Sequence, residues 1–264
     1  RGYLFLHFRR HHGSGYGIWI RKKTVTKSVI FYTDNAVDDT LPQVSKICQE
    51  QLRKSFDGEI VTCSLKPIDF GDKRIVLKNH VRSYPTMCRQ ILMALEAATT
   101  DLVYFCEHDV LYNKTHFVHE PSSKDVYCYN VNNWRWRWPD GPAITYDGLN
   151  SLSMLVCYRE TAIPHYKYRL KLIDEQGLDN GDGREPRWAR RFGYEPGTKP
   201  IRRGGITDEP FERWRSELPM VDIRHRGTFT RSKITLEEFK HPPTNWVEIA
   251  TEYIPGWDLK ELFK

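Results

Sequence analysis

Apolar residues fall in short unbroken runs through the first 110 positions, and each run stops at a polar cluster. "KSVIFYTDN", residues 27 to 35, sets β-branched and aromatic residues ahead of Thr33, Asp34 and Asn35, which predicts a buried strand. Leu41, Val44, Ile47, Cys48 and Leu52 recur at helical spacing, with Pro42 in the first turn where a missing N–H costs nothing. Gly58 ends that helix, and "EIVTCSL" predicts a second strand. The next helix runs through "YPTMCRQILMALEAAT", with Ile91, Leu92, Leu95 and Ala98 on one stripe. "DLVYFCEHD", residues 101 to 109, predicts a third strand, almost free of polar residues before Glu107, as suits a strand covered on both faces.

Strand, helix, strand, helix, strand in that order predicts an α/β fold with a doubly wound mixed sheet and a Rossmann-like N-terminal half. Further strands are expected at "DVYCYNVNNW" and "SLSMLVCYRE", a helix near 160 to 176, and a short strand in "MVDIRHRGTFT". Residues 177 to 205 are rich in Gly, Pro and Arg and read as a functional loop. "HHGSG" near the start resembles an appended linker, so residues 1–22 are given no fold weight. Residues 23–240 then form a single catalytic domain, and 241–264, with Trp246 and Trp257, a tail packed on it.

Composition narrows the class. Aromatics reach 13%, which excludes a disordered chain. A net charge of +6 favours an anionic partner without deciding one. Cysteines sit inside apolar runs and no CxxC pair exists, so a zinc ribbon is excluded and reduced thiols in a cytoplasmic protein are expected. No apolar run is long enough to span a membrane.

The chemistry gathers where predicted strands end, which in an open α/β sheet is where ligands bind. Glu107 and Asp109, one residue apart in extended geometry, would point to the same side. Carboxylates that close repel unless a cation lies near, and hard oxygen ligands suit Mn²⁺ or Mg²⁺. Tyr32, Thr33, Asp34 and Asn35 close the first strand, where the tyrosine would stack on a base and the polar residues bind its edge or ribose. Arg82 precedes the helix leading to the acidic strand and reaches the same mouth. His225, after a late apolar strand, would complete a metal site.

This arrangement resembles the GT-A fold of nucleotide-sugar-dependent glycosyltransferases over about residues 27–235. The resemblance implies that the first strand's end binds the nucleotide and that an acidic D-x-D motif, here Glu107-His108-Asp109, holds the metal on a diphosphate. It also implies that a C-terminal histidine, here His225, adds a ligand, and that the donor is a nucleotide sugar, expected to be a UDP-sugar. Because the first motif position is Glu107 rather than Asp, Asp109 is the firmer ligand. For an inverting reaction the base is expected at Asp208 or Glu209 in "GGITDEPFERW", with Glu185 behind them. The loop's arginines would close over the donor phosphates.

The acceptor reads as a saccharide by the family's default. "NWRWRW" alternates Trp134, Trp136 and Trp138 with Arg135 and Arg137, and such tryptophans stack on sugars or on unpaired bases when they are not core. Hydroxymethylated DNA is therefore the alternative acceptor. A nucleotidyltransferase is disfavoured because "YTDNAVDDTLP" has neither Gly nor a basic residue, and a non-enzymatic nucleic-acid module because a carboxylate pair repels phosphate.

Overall fold

A computed structural model of the chain describes residues 3–8, 16–21, 24–175, 195–198, 210–228 and 233–264. β1 (Tyr3–Phe8) and β2 (Tyr16–Arg21) pair antiparallel as a two-stranded sheet of their own, so the stretch given no fold weight does contain regular structure.

The Rossmann-like half follows the apolar runs. β3 (Lys27–Thr33), α1 (Ala36–Thr40), α2 (Pro42–Ser55), β4 (Glu59–Ser64), β5 (Lys73–Val76), α3 (Tyr84–Ala97) and β6 (Leu102–Glu107) occur in chain order. α3 begins cleanly because the Ser83 hydroxyl accepts from Thr86 N–H and Pro85 occupies the first turn. The second half holds β7 (Val110–Leu111), β8 (Tyr127–Asn130), β9 (Asn133–Arg137), β10 (Ala143–Thr145), β11 (Leu155–Tyr158) and α4 (Arg159–Glu175). After these come β12 (Phe211–Trp214), β13 (Met220–Arg224), β14 (Val247–Ile249) and α5 (Leu259–Leu262).

A seven-stranded mixed sheet runs β12-β8-β11-β6-β3-β4-β5. β3, β4, β5 and β6 are parallel, while β11 runs antiparallel to both β6 and β8. One face packs against α3 and α4 through Ile91, Leu95, Tyr166 and Ile173; the other holds Leu52 of α2 with Phe31, Tyr104 and Tyr112. A five-stranded sheet, β14-β10-β9-β13-β7, stands beside it. The fold is GT-A-like: a parallel half, a reversed strand and a second sheet flanking the strand ends.

Two expectations are corrected. Residues 125–134 do not form one strand: the chain leaves the large sheet after Asn130 and enters the small one at Asn133. The departure is fixed by polar bonds, since Asn130 Oδ1 accepts from Asn132 N–H at 3.0 Å and from Ser216 N–H at 3.2 Å. The third strand stops at Glu107, because His108 and Asp109 form a turn into β7. Within 241–264, β14 pairs with β10, and Ile254 and Leu259 are buried. No helix among the described residues is long and apolar enough to cross a membrane.

Candidate active site

β3 and β6 are parallel neighbours, with Tyr32 opposite Glu107, so their carboxyl ends open together. The Tyr32 hydroxyl donates to Glu107 Oε1 at 2.6 Å. Glu107 N–H donates to the Tyr112 hydroxyl at 3.0 Å, and that hydroxyl donates to the Ser153 carbonyl at 3.0 Å, fixing the strand end from below. Burial, then the charge of Asp109, pushes the Glu107 carboxyl up to about 8.

The turn at His108 and Asp109 breaks the strand's alternation and brings a histidine into the mouth that extended geometry would aim away. β13 supplies the rest. Its Asp222 pairs with Val110, and Ile223 N–H donates to the Asp109 carbonyl at 2.8 Å, so the residues after it lie alongside the acidic turn. His225 Nε2 thereby stands 3.3 Å from Asp109 Oδ2, a close contact rather than an aligned hydrogen bond. His108 Nε2 lies 4.0 Å from the same oxygen. Burial raises the Asp109 carboxyl, but His108, His225 and Arg224 outweigh it and hold the group below its ordinary range.

One ligand atom from each of His108, Asp109 and His225 falls within 4.8 Å of the others. His108 Nδ1 and His225 Nε2 are buried with no hydrogen-bond partner among the described residues. A carboxylate beside open imidazole nitrogens is a donor set that fits a divalent transition metal, and Mn²⁺ better than Mg²⁺, which prefers all-oxygen shells.

The end of the pocket expected to take a nucleotide is built around Asp34. Its Oδ1 accepts from Ala36 N–H at 2.9 Å, and its Oδ2 pairs with Arg82 Nε. Arg82 also donates to the Gly227 carbonyl at 2.6 Å. The Thr33 carbonyl accepts from Gln90 at 2.7 Å. Asn35 is otherwise employed: at φ 62° its Oδ1 accepts from Leu65 and Lys66 N–H at 2.9 and 2.8 Å, tying the loop after β4, and it does not line the pocket. Tyr32 lines the pocket but is buried at 4% exposure with its hydroxyl on Glu107.

Tyr32, Thr33, Asp34, Arg82, Glu107 and Asp109 share one pocket, and His225 reaches it through Asp109. Asp208, Glu209, Glu185 and the arginines of the 177–205 loop lie outside the described residues. Several lining residues were not singled out as site residues in the sequence: His108, Glu195, Asp222 and Arg224. Asp222 accepts from Arg224 through both oxygens, at 3.0 and 3.1 Å. Arg135, set apart from the tryptophans by the alternation on β9, also lines the pocket. Trp136 is only 5% exposed and belongs to the core, while Trp134 and Trp138 are partly buried and pack against the same cluster.

No protein-family model matches the chain, and no curated protein matches it in sequence. Among solved structures it is similar to the apo form of the glycosyltransferase GlyE of Streptococcus pneumoniae TIGR4. The identity is 13% and the TM-score 0.38, over 61% of this chain and 41% of that one, so it spans less than half of that enzyme. A glycosyltransferase involved in glycosylation of the major capsid of PBCV-1 aligns at 9% identity and TM-score 0.43, over 75% of this chain and 93% of that one. The inositol-1-phosphate CTP transferase of T. maritima aligns at 9% and 0.32, over 57% and 82%.

Proposed function

We propose that the protein is a divalent-metal-dependent glycosyltransferase that moves a sugar from a nucleotide diphosphate sugar to an acceptor hydroxyl. The observation that carries this reading is the convergence of Asp109, His225 and His108 at the mouth where β3 and β6 end. These residues would hold the ion, and when bound it supplies Lewis-acid neutralisation of the departing diphosphate. The chain's own groups do the rest. Asp34 and Thr33 present acceptors to the ribose and base end, while Arg135 and Arg224 add fixed positive charge to the pocket wall. Glu107, tethered by Tyr32, orients the motif strand.

An inverting reaction needs a carboxylate to accept the acceptor's proton. Asp208 and Glu209 remain proposed for that task, and Glu195 joins them as a pocket carboxylate outside the His–Asp cluster. The acceptor is proposed to be a saccharide. With Trp136 in the core and Trp134 and Trp138 partly buried against it, less open ring surface is left there for a DNA base.

The test is transfer and hydrolysis of a panel of nucleotide sugars, UDP-sugars first, with Mn²⁺ and with EDTA. Turnover that needs Mn²⁺ and falls in Asp109→Asn supports the reading. Turnover that persists in EDTA with an Asp109→Ala, His225→Ala double variant overturns it.

A further inference from the structure

One edge of the Arg135 guanidinium makes no hydrogen bond to the described residues. On β9 this arginine shares a face with Asn133, whose amide donates to the Ser151 hydroxyl at 3.3 Å, and Arg135 and Ser151 both line the pocket. Arg135 Nη1 donates to the Tyr146 hydroxyl at 3.0 Å, and the guanidinium carbon lies 5.8 Å from the centre of that ring. Nε is buried without a hydrogen bond, and Nη2 makes none among the described residues.

Asp222 does not take up that edge. It is 2% exposed, and both its oxygens accept from Arg224, at 3.0 and 3.1 Å. Its Oδ2 stands 3.8 Å from Arg135 Nε, beyond hydrogen-bond reach. Asp222 is thus committed to Arg224. Arg135, with a side chain only 16% exposed, keeps its charge without a hydrogen-bonded counterion among the described residues. A largely desolvated guanidinium gains strongly from an anion. The Nε and Nη2 hydrogens lie parallel along one edge, and the two oxygens of a planar carboxylate match them.

The path of β13 indicates which part of a substrate meets this edge. Asp222 lies opposite both Val110 of β7 and Arg135 of β9. Three residues on, His225 faces Asp109; two further, the Gly227 carbonyl accepts from Arg82, the partner of Asp34. Along this strand and its exit, the His–Asp cluster comes between the row of Arg135 and the contact to Arg82. A donor with its ribose at Asp34 and its diphosphate at the cluster meets Arg135 last.

We propose that Arg135 sets acceptor specificity, its open edge holding a carboxylate, so that the acceptor is an acidic saccharide such as one ending in a uronic acid. This deepens, and rests on, the reading of the pocket as a glycosyl-transfer site. Nε and Nη2 donate to the two carboxylate oxygens, while Tyr146 fixes the plane of the guanidinium. A neutral hexose in the same place leaves that edge without a partner, and the penalty falls on acceptor binding.

The probes are glucuronate-terminated oligosaccharides and their methyl esters, which keep the ring and remove the charge. Calorimetry measures their binding to wild type, Arg135→Gln and Arg135→Lys, with melting curves to confirm folding. Wild type should bind the acid about tenfold tighter than the ester, or more, as suits a charge-assisted pair of hydrogen bonds. Arg135→Gln should bring that ratio near one. Arg135→Lys, which keeps the charge but not the fork, should retain only part of it. If Arg135→Gln does not fold, Arg135→Lys and Tyr146→Phe, which frees the guanidinium plane, decide by the same drop in ratio. UDP-glucuronate against UDP-glucose, with Mn²⁺, gives the donor arm, where the ratio should not depend on Arg135. No acid–ester difference in wild type, or a charge preference that resides in the donor, overturns the carboxylate site. Acid preference in a protein that turns over no nucleotide sugar supports the carboxylate site and overturns the transfer reading. Turnover without acid preference does the reverse.

Discussion

On one side of β9, Trp136 meets Trp138 and Phe263 with ring centroids 4.8 and 5.3 Å apart, and the three pack onto Val221, Ile223 and Leu259. On the other side, Arg135 donates to the Tyr146 hydroxyl at 3.0 Å, lies 3.8 Å from Asp222 and faces the pocket. Adjacent residues on one strand therefore serve a dry face and a charged one. The rings carry far more apolar area than the arginine stems, so the aromatic face is the one that burial selects, and the arginines are left to the mouth. Stability and chemistry are separable here by a single step along the chain.

That separation can be broken by mutation. Trp136→Ala should cost about 3–5 kcal/mol of stability, the usual range for a buried tryptophan, while the molecules that remain folded keep their turnover. Denaturant melts beside specific activity check this, and a variant that melts normally but loses acceptor affinity would place the ring in the site after all. Next in size, Asp109→Asn should lower Mn²⁺-dependent turnover about a hundredfold, or about 2.7 kcal/mol, with melting unchanged.

His116 sharpens the contrast from the other direction, since it is a titratable group buried in the separate apolar cluster against the large sheet. Its ring packs beside Tyr104 and Tyr112, and its Nδ1 accepts from the Asn130 amide at 3.1 Å. Burial, with a small contribution from His119, lowers it from its ordinary 6.5 to about 3. The unfolded chain takes up the proton first, so this residue contributes to a loss of stability as pH falls below 6.5 toward 3. The slope is at most about 1.4 kcal/mol per pH unit. His116→Gln should flatten that part of the acid-unfolding profile, and an unchanged profile would mean the ring is protonated in the folded protein. The smallest expected effect is Tyr32→Phe, which removes one hydrogen bond from Glu107 and should cost about 1 kcal/mol, roughly fivefold in turnover.

Much of this architecture was legible in the sequence. The apolar runs of β3, β4 and β6 and the stripe of α3 are strong periodic signals, and the strand ends followed from them. Asp109, Arg82 and His225 were reachable because each follows or precedes such a run. His108 was not, because nothing in "CEHDV" marks the turn that carries it off the strand. The break between β8 and β9 had a weak sign in Asn130, Asn132 and Asn133, residues poor at strand formation, but the tie of the first two to Ser216 is a contact 84 to 86 positions away. Arg135 needed knowledge of which face of β9 is buried, and only the partner strands supply that.

The acidic turn also has a role in setting chain length. β6 belongs to the seven-stranded sheet and β7 to the five-stranded one, with only His108 and Asp109 between them. The polypeptide thus changes sheets inside the motif itself. One extra residue there would shift Val110 and Leu111 out of register with Asp222 and Val221 and turn their side chains to opposite faces. Among natural variants of this fold, the number of residues across the joint should vary less than their identity. An Asp in place of Glu107 would be the tolerable kind of drift, and an inserted glycine the intolerable kind.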